Sequence, residues 1–176
     1  SEMWALVHQQ LYNAGEAMLT GDKELAYKVI SRERRVNAFE LKIDSDCEDI
    51  IALYAPVAID LRFVLAMYKI NTNLERLGDF AESIARFAGN LPEGEPIDPQ
   101  LVKETRVEEM LSELLSMISL TKEAFEKESS EIASRIFLKD NLIDEINHNS
   151  TAIIAKYIEE HKGSALAGLY MAGVIR

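Results

Sequence analysis

Two carboxylates four residues apart, Glu75 and Asp79, stand in the middle of a long apolar helical pattern. Four residues make about one turn of an α-helix, so both side chains lie on one face. Two carboxylates at so short a separation repel each other unless a cation, a proton or a basic side chain lies between them. This pair is therefore the first candidate for chemistry in the sequence.

Two further polar pairs have the same spacing. Glu33 precedes Asn37 by one turn, and Asp140 precedes Asp144 by one turn. Glu33 and Asp140 fall on the apolar stripes of their own predicted helices, where an unpaired carboxylate is costly. Oxygen ligands on adjacent helices are what a divalent or ferric cation requires. The three pairs predict a metal site; a solvated face, or ion pairs with neighbouring arginines and lysines, is the alternative.

Apolar residues recur at intervals of three and four almost throughout the chain, which predicts an all-α fold. Asp22, Asp98 before Pro99, and Ser129 or Ser130 are the expected helix starts, and Gly163 is an expected helix end. We predict six helices, over about residues 2–20, 22–54, 57–88, 98–127 and 130–161, and from residue 164 to the end of the chain.

A segment rich in proline and glycine, residues 89–96, lies near the midpoint and indicates a linker. Moving the second half back by 107 residues places Asp140 over Glu33 and Asp144 over Asn37. Apolar residues coincide at most of the compared positions, so the halves form an internal repeat. We predict two tandem three-helix bundles: the first over residues 1–90, a linker over 91–98, and the second over 99–176.

Composition limits the possible functions. The formal net charge of −11 argues against nucleic-acid binding, which requires clustered lysine and arginine to neutralise phosphates. Cys47 is the single cysteine, which favours a reducing, cytoplasmic setting, and we expect it to be a buried, inert thiol. The apolar runs fall short of the roughly 20 residues that a membrane span needs.

Catalytic motifs are scarce. A di-iron oxidase bundle uses two Glu-x-x-His motifs, and this sequence has one, Glu145 to His148. Glycine-rich phosphate-binding loops and a nucleophile with a matching base are also missing. We therefore expect no enzyme, with a metalloenzyme as the remaining catalytic alternative.

Several motifs in the first half closely resemble the PhoU family of phosphate-uptake regulators. The second half resembles the family more loosely, through Lys139-Asp140, Ile143-Asp144 and Val174-Ile175-Arg176. The first-half motifs are Val36-Asn37, Glu40, Ile43-Asp44, Cys47, Ile50-Ile51-Ala52, Pro56 through Arg62, Lys69, Leu74 through Asp79, and Ile84-Ala85.

The resemblance implies tandem, spectrin-like three-helix bundles and a cytoplasmic, non-enzymatic regulator. Such a protein restrains phosphate uptake and phosphate-starvation signalling when phosphate is plentiful. Its expected partners are the ATPase subunit of a phosphate ABC transporter and a phosphate-sensing histidine kinase, with membrane contact only through them, and a homodimer is expected. The alternative is the PhoU-like domain of a sodium-phosphate cotransporter.

The resemblance also implies a multinuclear iron or zinc cluster, or another divalent cation, held by paired acidic motifs. The carried-over positions are Glu33 and Asn37, Glu75 and Asp79, and Asp140 and Asp144. Asn37 replaces an expected carboxylate, which should weaken the hold on a highly charged metal. We expect the second bundle to be incomplete, because the chain ends about three residues before its second Glu-Arg-x-Gly-Asp motif would begin.

Overall fold

The computed structural model describes residues 2–92, 96–161 and 165–176. Within these residues it contains seven α-helices and no strand, which confirms the all-α prediction. The predicted helix end at Gly163 and the start at residue 164 lie outside the described residues. The helices are α1 (Glu2–Thr20), α2 (Lys23–Tyr54), α3 (Ile59–Asn90), α4 (Pro99–Thr105), α5 (Val107–Glu126), α6 (Ser130–Glu160) and α7 (Ala165–Ile175).

Three of the predicted helix starts are capped as expected. The Asp22 carboxylate accepts a hydrogen bond from the Leu25 amide at 2.9 Å, and Asp98 accepts one from the Gln100 amide at 2.8 Å. The Ser129 hydroxyl accepts one from the Ile132 amide at 3.2 Å. These side chains satisfy backbone donors that the first turn of a helix leaves unpaired.

The predicted helix over residues 98–127 is wrong in one respect, because it breaks at Arg106. That residue has left-handed backbone angles, φ 57° and ψ 27°, and separates α4 from α5. In a continuous helix Leu101 and Val107 would point in different directions, since six residues turn about 600°. The break lets both side chains be buried. The Arg106 guanidinium secures it by donating to Glu109 at 2.7 Å and Glu145 at 2.8 Å.

Helix α1 packs against both halves of the molecule. It contacts α2 and α3 on one side and α5 on the other. Its buried side chains, which include Val7, Leu11, Ala14 and Met18, lie on one face that spans about 160° of the helix at 100° per residue. Gly15 lies so close to α5 that a Cβ atom there would be 3.1 Å from Leu111 Cδ1. The two halves thus share one continuous core.

Candidate functional site

The middle of α2 and the middle of α3 approach each other closely at Gly78. A Cβ atom at this position would lie 2.8 Å from Val36 Cγ1, which is closer than real side chains allow. Only glycine fits this helix crossing without a shift of the backbone or of Val36. Because Gly78 lies directly before Asp79 and three residues after Glu75, the close crossing brings that pair up to α2.

Six residues line this crossing and form what we call the acidic seam. All are partly buried except Asp79, which is exposed. They comprise Glu33, Asn37 and Glu40 on α2, and Glu75, Asp79 and Glu82 on α3. The crossing therefore brings together four of the six predicted ligands, together with two carboxylates, Glu40 and Glu82, that were not predicted as ligands.

The carboxylates of the seam repel one another across the two helices. Burial raises the pKa of Glu75, and the charges of Asp79, Glu40 and Glu33 raise that pKa further. Burial also raises the pKa of Glu33, followed by the charges of Glu82 and Asp79. A raised carboxyl pKa means that the seam favours a proton, or another positive charge, over the bare anions.

Asn37 provides an unused oxygen in the same seam. Its side-chain amide hydrogen-bonds Glu33, which lowers the pKa of Glu33 and partly offsets the repulsion. Its Oδ1 atom is buried and has no hydrogen-bond partner. Buried polar atoms are rarely left unpaired in folded proteins. An unpaired oxygen in a seam of carboxylates is what a hard cation would bind, so the donor chemistry of the seam fits a metal.

The geometry of the seam is not that of a preassembled centre. In residues 2–92, 96–161 and 165–176, no three His, Cys, Asp or Glu side chains are grouped as a metal ion would require. Binding a cation would therefore require the seam side chains to turn toward a common point.

The structure does not bring Asp140 and Asp144 into the seam. Both side chains are exposed on α6, which packs on α4, α5 and α7. The expectation that Asp140 faces the core is therefore wrong. Helix α6 has few buried residues, Ile146, Ser150, Ile154 and Tyr157, all in its second half. The first half of α6 has its apolar stripe partly uncovered, and Phe137 and Leu138 are exposed there.

Asn71 is a polar core residue that the sequence analysis missed. It is 1% exposed, and its Nδ2 donates to the Glu40 carbonyl at 2.9 Å and to Asp44 Oδ1 at 2.6 Å. Its place three residues before Leu74, on the apolar stripe of α3, was the available signal. Asn71 ties α3 to α2 one turn beyond Glu75.

Two other candidate groups have ordinary structural roles. Glu145 pairs with Arg106 and His148 is exposed, so the single Glu-x-x-His motif does not face a core. Cys47 is 5% exposed, and burial raises the pKa of its thiol, with Asp44 and Asp46 adding to the effect. This agrees with the expected inert thiol, because the reactive thiolate is disfavoured there.

Comparison with known proteins identifies the family of this chain. The sequence model that describes the PhoU domain family matches residues 1–88 and 107–176. A PhoU homologue of the phosphate-specific transport system from Aquifex aeolicus is 32% identical over 99% of this chain and 77% of its own length. The Escherichia coli accessory protein PhoU is also 32% identical, over 97% of this chain and 70% of its own. The chain belongs to the PhoU family.

Solved PhoU structures have the same fold. The Pseudomonas aeruginosa PhoU crystal structure superposes with a TM-score of 0.87 at 26% identity, covering 99% of this chain and 82% of that one. The regulatory protein PhoU from Streptococcus pneumoniae gives a TM-score of 0.85 at 27% identity, covering 99% and 80%. The two PhoU-domain matches coincide with α1–α3 and α5–α7, which agrees with the internal repeat. The domain limits at residues 90 and 99 stay a prediction.

Proposed function

We propose that this PhoU-family chain is an accessory regulator of a phosphate-specific transport system. It restrains uptake and starvation signalling when phosphate is plentiful, without catalysing a reaction. The observation that carries the proposal is the match of PhoU-domain models to both repeats, together with relatives named as accessory proteins of that transport system. A surface made of exposed helices suits the binding of partner proteins and conformational coupling better than catalysis.

We propose that the chain is cytoplasmic and that its partners are the ATPase subunit of the phosphate ABC transporter and a phosphate-sensing histidine kinase. Contact with the membrane is proposed to occur only through these partners. Across the described parts of the chain, none of the helices is both long and apolar enough to cross a membrane. The net charge of −11 suits partners with basic surfaces and opposes nucleic acid.

The acidic seam is the proposed cation site, for iron, zinc or another divalent ion. The ion would be held by side-chain oxygen atoms of Glu33, Asn37, Glu75 and Asp79. Its positive charge would offset the repulsion between the carboxylates. These residues lie on α2 and α3, so a bound ion would hold those two helices together more firmly than in the ion-free protein. Asp140 and Asp144, exposed on α6, stay a predicted second site.

Direct binding to the transporter ATPase tests the proposal. The purified chain is immobilised, and the phosphate-transporter ATPase subunit from the same genome is titrated over it, with an ATPase subunit of an unrelated ABC transporter as control. We expect saturable binding to the phosphate-transporter subunit alone. Equal binding to both subunits, or to neither, would contradict the proposed partner.

The seam has a separate test within the same assay. Glu75→Ala with Asp79→Ala removes half of the proposed ligands, and Glu104→Ala with Glu108→Ala removes two exposed carboxylates outside the seam as a matched control. We expect the seam variant to lose bound metal and the control to keep it. Comparing their affinities for the ATPase subunit then shows whether the cation affects partner binding.

A further inference from the structure

A depression of about 310 Å³ lies where the start of α1 meets the central parts of α2 and α3. Ligand sites in proteins have volumes of about 300 to 1,000 Å³, so this one suits a small molecule. None of its lining residues belongs to the acidic seam, which makes it a separate feature of the first three helices. We call it the Asn71 pocket, after the most buried polar residue that lines it. Its mainly apolar walls include Trp4, Phe39, Met67 and Ile70.

Asn71 provides this pocket with a buried acceptor that has no partner. Its Nδ2 atom faces two acceptors on α2, the Glu40 carbonyl at 2.9 Å and Asp44 Oδ1 at 2.6 Å. Turning the amide over would place its oxygen against both acceptors, so these contacts fix its orientation. The Oδ1 atom of Asn71 is the free arm of the amide, and it is buried without a hydrogen-bond partner among the described residues. Because buried polar atoms are rarely left unpaired, an N–H or O–H donor of a bound molecule would satisfy it.

Two opposite charges lie at the rim of the pocket, both on α2. Lys42 and Asp46 line it, are exposed, and stand one helical turn apart, which is about 6 Å along the helix axis. Despite this spacing, neither forms an ion pair with any residue that the structure describes. Glu2 lines the pocket as well and adds a second acid. The rim therefore offers one positive and two negative groups to a ligand.

We propose that the Asn71 pocket binds a small zwitterion with an apolar side chain, of the class of the free apolar α-amino acids. The ligand's ammonium group donates to Asn71 Oδ1 and lies against the Asp46 carboxylate, and its carboxylate pairs with Lys42. Its side chain packs on Met67 and Ile70, which removes apolar surface from water. Methionine side chains are unbranched and adapt readily to the shape of a ligand. A single molecule thus satisfies both unpaired charges and the unpaired oxygen.

The charges of the pocket favour a zwitterion over simpler ligands. An amine without a carboxylate would leave Lys42 unpaired and place a second cation beside it. A carboxylic acid without an amine would offer no N–H donor to Asn71 Oδ1 and would meet like charges at Asp46 and Glu2. Inorganic phosphate is disfavoured for the same reason. The proposal therefore does not rest on the proposed phosphate role or on the cation site.

The fluorescence of Trp4 measures binding directly. Trp4 is the only tryptophan of the chain, it is 7% exposed, and it lines the pocket. The whole, chelator-treated chain is titrated with L-phenylalanine and with L-leucine, and calorimetry repeats each titration. We expect a saturable change of the tryptophan emission, with a dissociation constant between about 10 μM and 1 mM for ligands of so few atoms.

Analogues of phenylalanine test each contact of the ligand. Phenethylamine lacks the carboxylate and should bind about threefold more weakly or worse, because an exposed ion pair is lost. Hydrocinnamate lacks the ammonium group and should bind about tenfold more weakly or worse, because a charged hydrogen bond is lost. Trimethylated phenylalanine keeps both charges but has no N–H donor, so it tests the contact with Asn71 Oδ1 and should be weakened as much as hydrocinnamate. Glycine lacks the apolar side chain and should give no saturable change.

Lys42→Gln and Asp46→Asn test the same contacts from the side of the protein. Both side chains are exposed, so both variants should fold as the parent does. We expect each variant to raise the dissociation constant for phenylalanine about threefold. Lys42→Gln should not weaken the binding of phenethylamine, which has no carboxylate to pair with Lys42. Lys28→Gln and Asp49→Asn are matched controls, exposed on the same helix outside the pocket, and should bind phenylalanine as the wild type does.

Three outcomes would overturn the proposal. The first is the lack of a saturable response to both phenylalanine and leucine up to about 10 mM. The second is binding of hydrocinnamate or of trimethylated phenylalanine that is as tight as that of phenylalanine. The third is an unchanged affinity for phenylalanine in both Lys42→Gln and Asp46→Asn.

Discussion

Replacing Gly78 with alanine tests whether the α2–α3 crossing depends on close backbone packing. The added Cβ would lie 2.8 Å from Val36 Cγ1 and 3.5 Å from Val36 Cβ and Cγ2. Val36 is 1% exposed, and a valine in a helix has essentially one side-chain rotamer. Since the valine cannot turn away, the helices must separate by a few tenths of an ångström. That movement acts directly on the acidic seam.

The size of the effect follows from two opposing contributions. Adding a methyl group to a well-packed contact costs about 1–3 kcal/mol, whereas alanine is better than glycine in a helix interior by about 1 kcal/mol. We expect Gly78→Ala to reduce the free energy of unfolding by up to about 2 kcal/mol. For a chain of this length a loss of about 2 kcal/mol lowers the melting temperature by about 4–8 °C. Thermal and denaturant unfolding, followed by circular dichroism, measure it.

Gly89→Ala is the matched control, because it makes the same substitution on the same helix. A Cβ atom at Gly89 would meet nothing within 4 Å. This variant should be neutral or more stable by up to about 1 kcal/mol. In a double mutant, Val36→Ala should also reduce the loss of stability that Gly78→Ala causes, with a coupling energy of about 1 kcal/mol or more. Equal stability of the two glycine variants, or additive behaviour of Val36→Ala with Gly78→Ala, would refute the close-contact explanation.

Three further predictions concern single side chains. Glu75→Gln should raise the melting temperature of chelator-treated protein at pH 7. Because folding raises the pKa of Glu75, this gain in melting temperature should vanish below the ordinary pKa of 4.5. A lower melting temperature of the variant at pH 7 would contradict the repulsion. Tyr157→Phe removes the hydrogen bond that Tyr157 donates to Asp98 at 2.6 Å and should cost about 1–2 kcal/mol. That hydrogen bond lowers the pKa of Asp98, so the difference from wild type should be full above pH 3.8 and shrink as pH falls through the lowered pKa; an unchanged difference in acid would contradict this. Leu74→Asp places a charge at a site that is 4% exposed and should cost about 3 kcal/mol or more, so a variant that melts at the parent temperature would contradict the core assignment.

The sequence predicted the helices well because their signals are local. Spacing of apolar residues sets the faces of α1, α2 and α3, and Asp22, Asp98 and Ser129 mark helix starts through their own side chains. The break at Arg106 was not predictable in this way. The ion pair between Arg106 and Glu145, which is 39 residues away in the chain, forms only in the folded protein.

The candidate site was predictable in part for the same reason. Glu33 stands at a core-facing step of α2 and Glu75 lies within the apolar pattern of α3, so spacing identified both as candidates, whereas their proximity comes from the packing of α2 on α3. Asp140 occupies the equivalent step of its helix, but it is exposed, because burial depends on which element covers a face and not on spacing. The contribution of Glu82 to the seam was also missed, since a pair of helices in contact was needed to bring it near Glu33.

Cation binding to the acidic seam is the central claim, and titration calorimetry combined with elemental analysis tests it directly. Chelator-treated protein is titrated with zinc and, anaerobically, with ferrous iron, alongside the Glu75→Ala, Asp79→Ala variant and its off-seam control. We expect saturable binding by the wild type and the control, and loss of that binding in the seam variant. An unchanged metal stoichiometry in the seam variant, or no binding by the wild type, would contradict the claim.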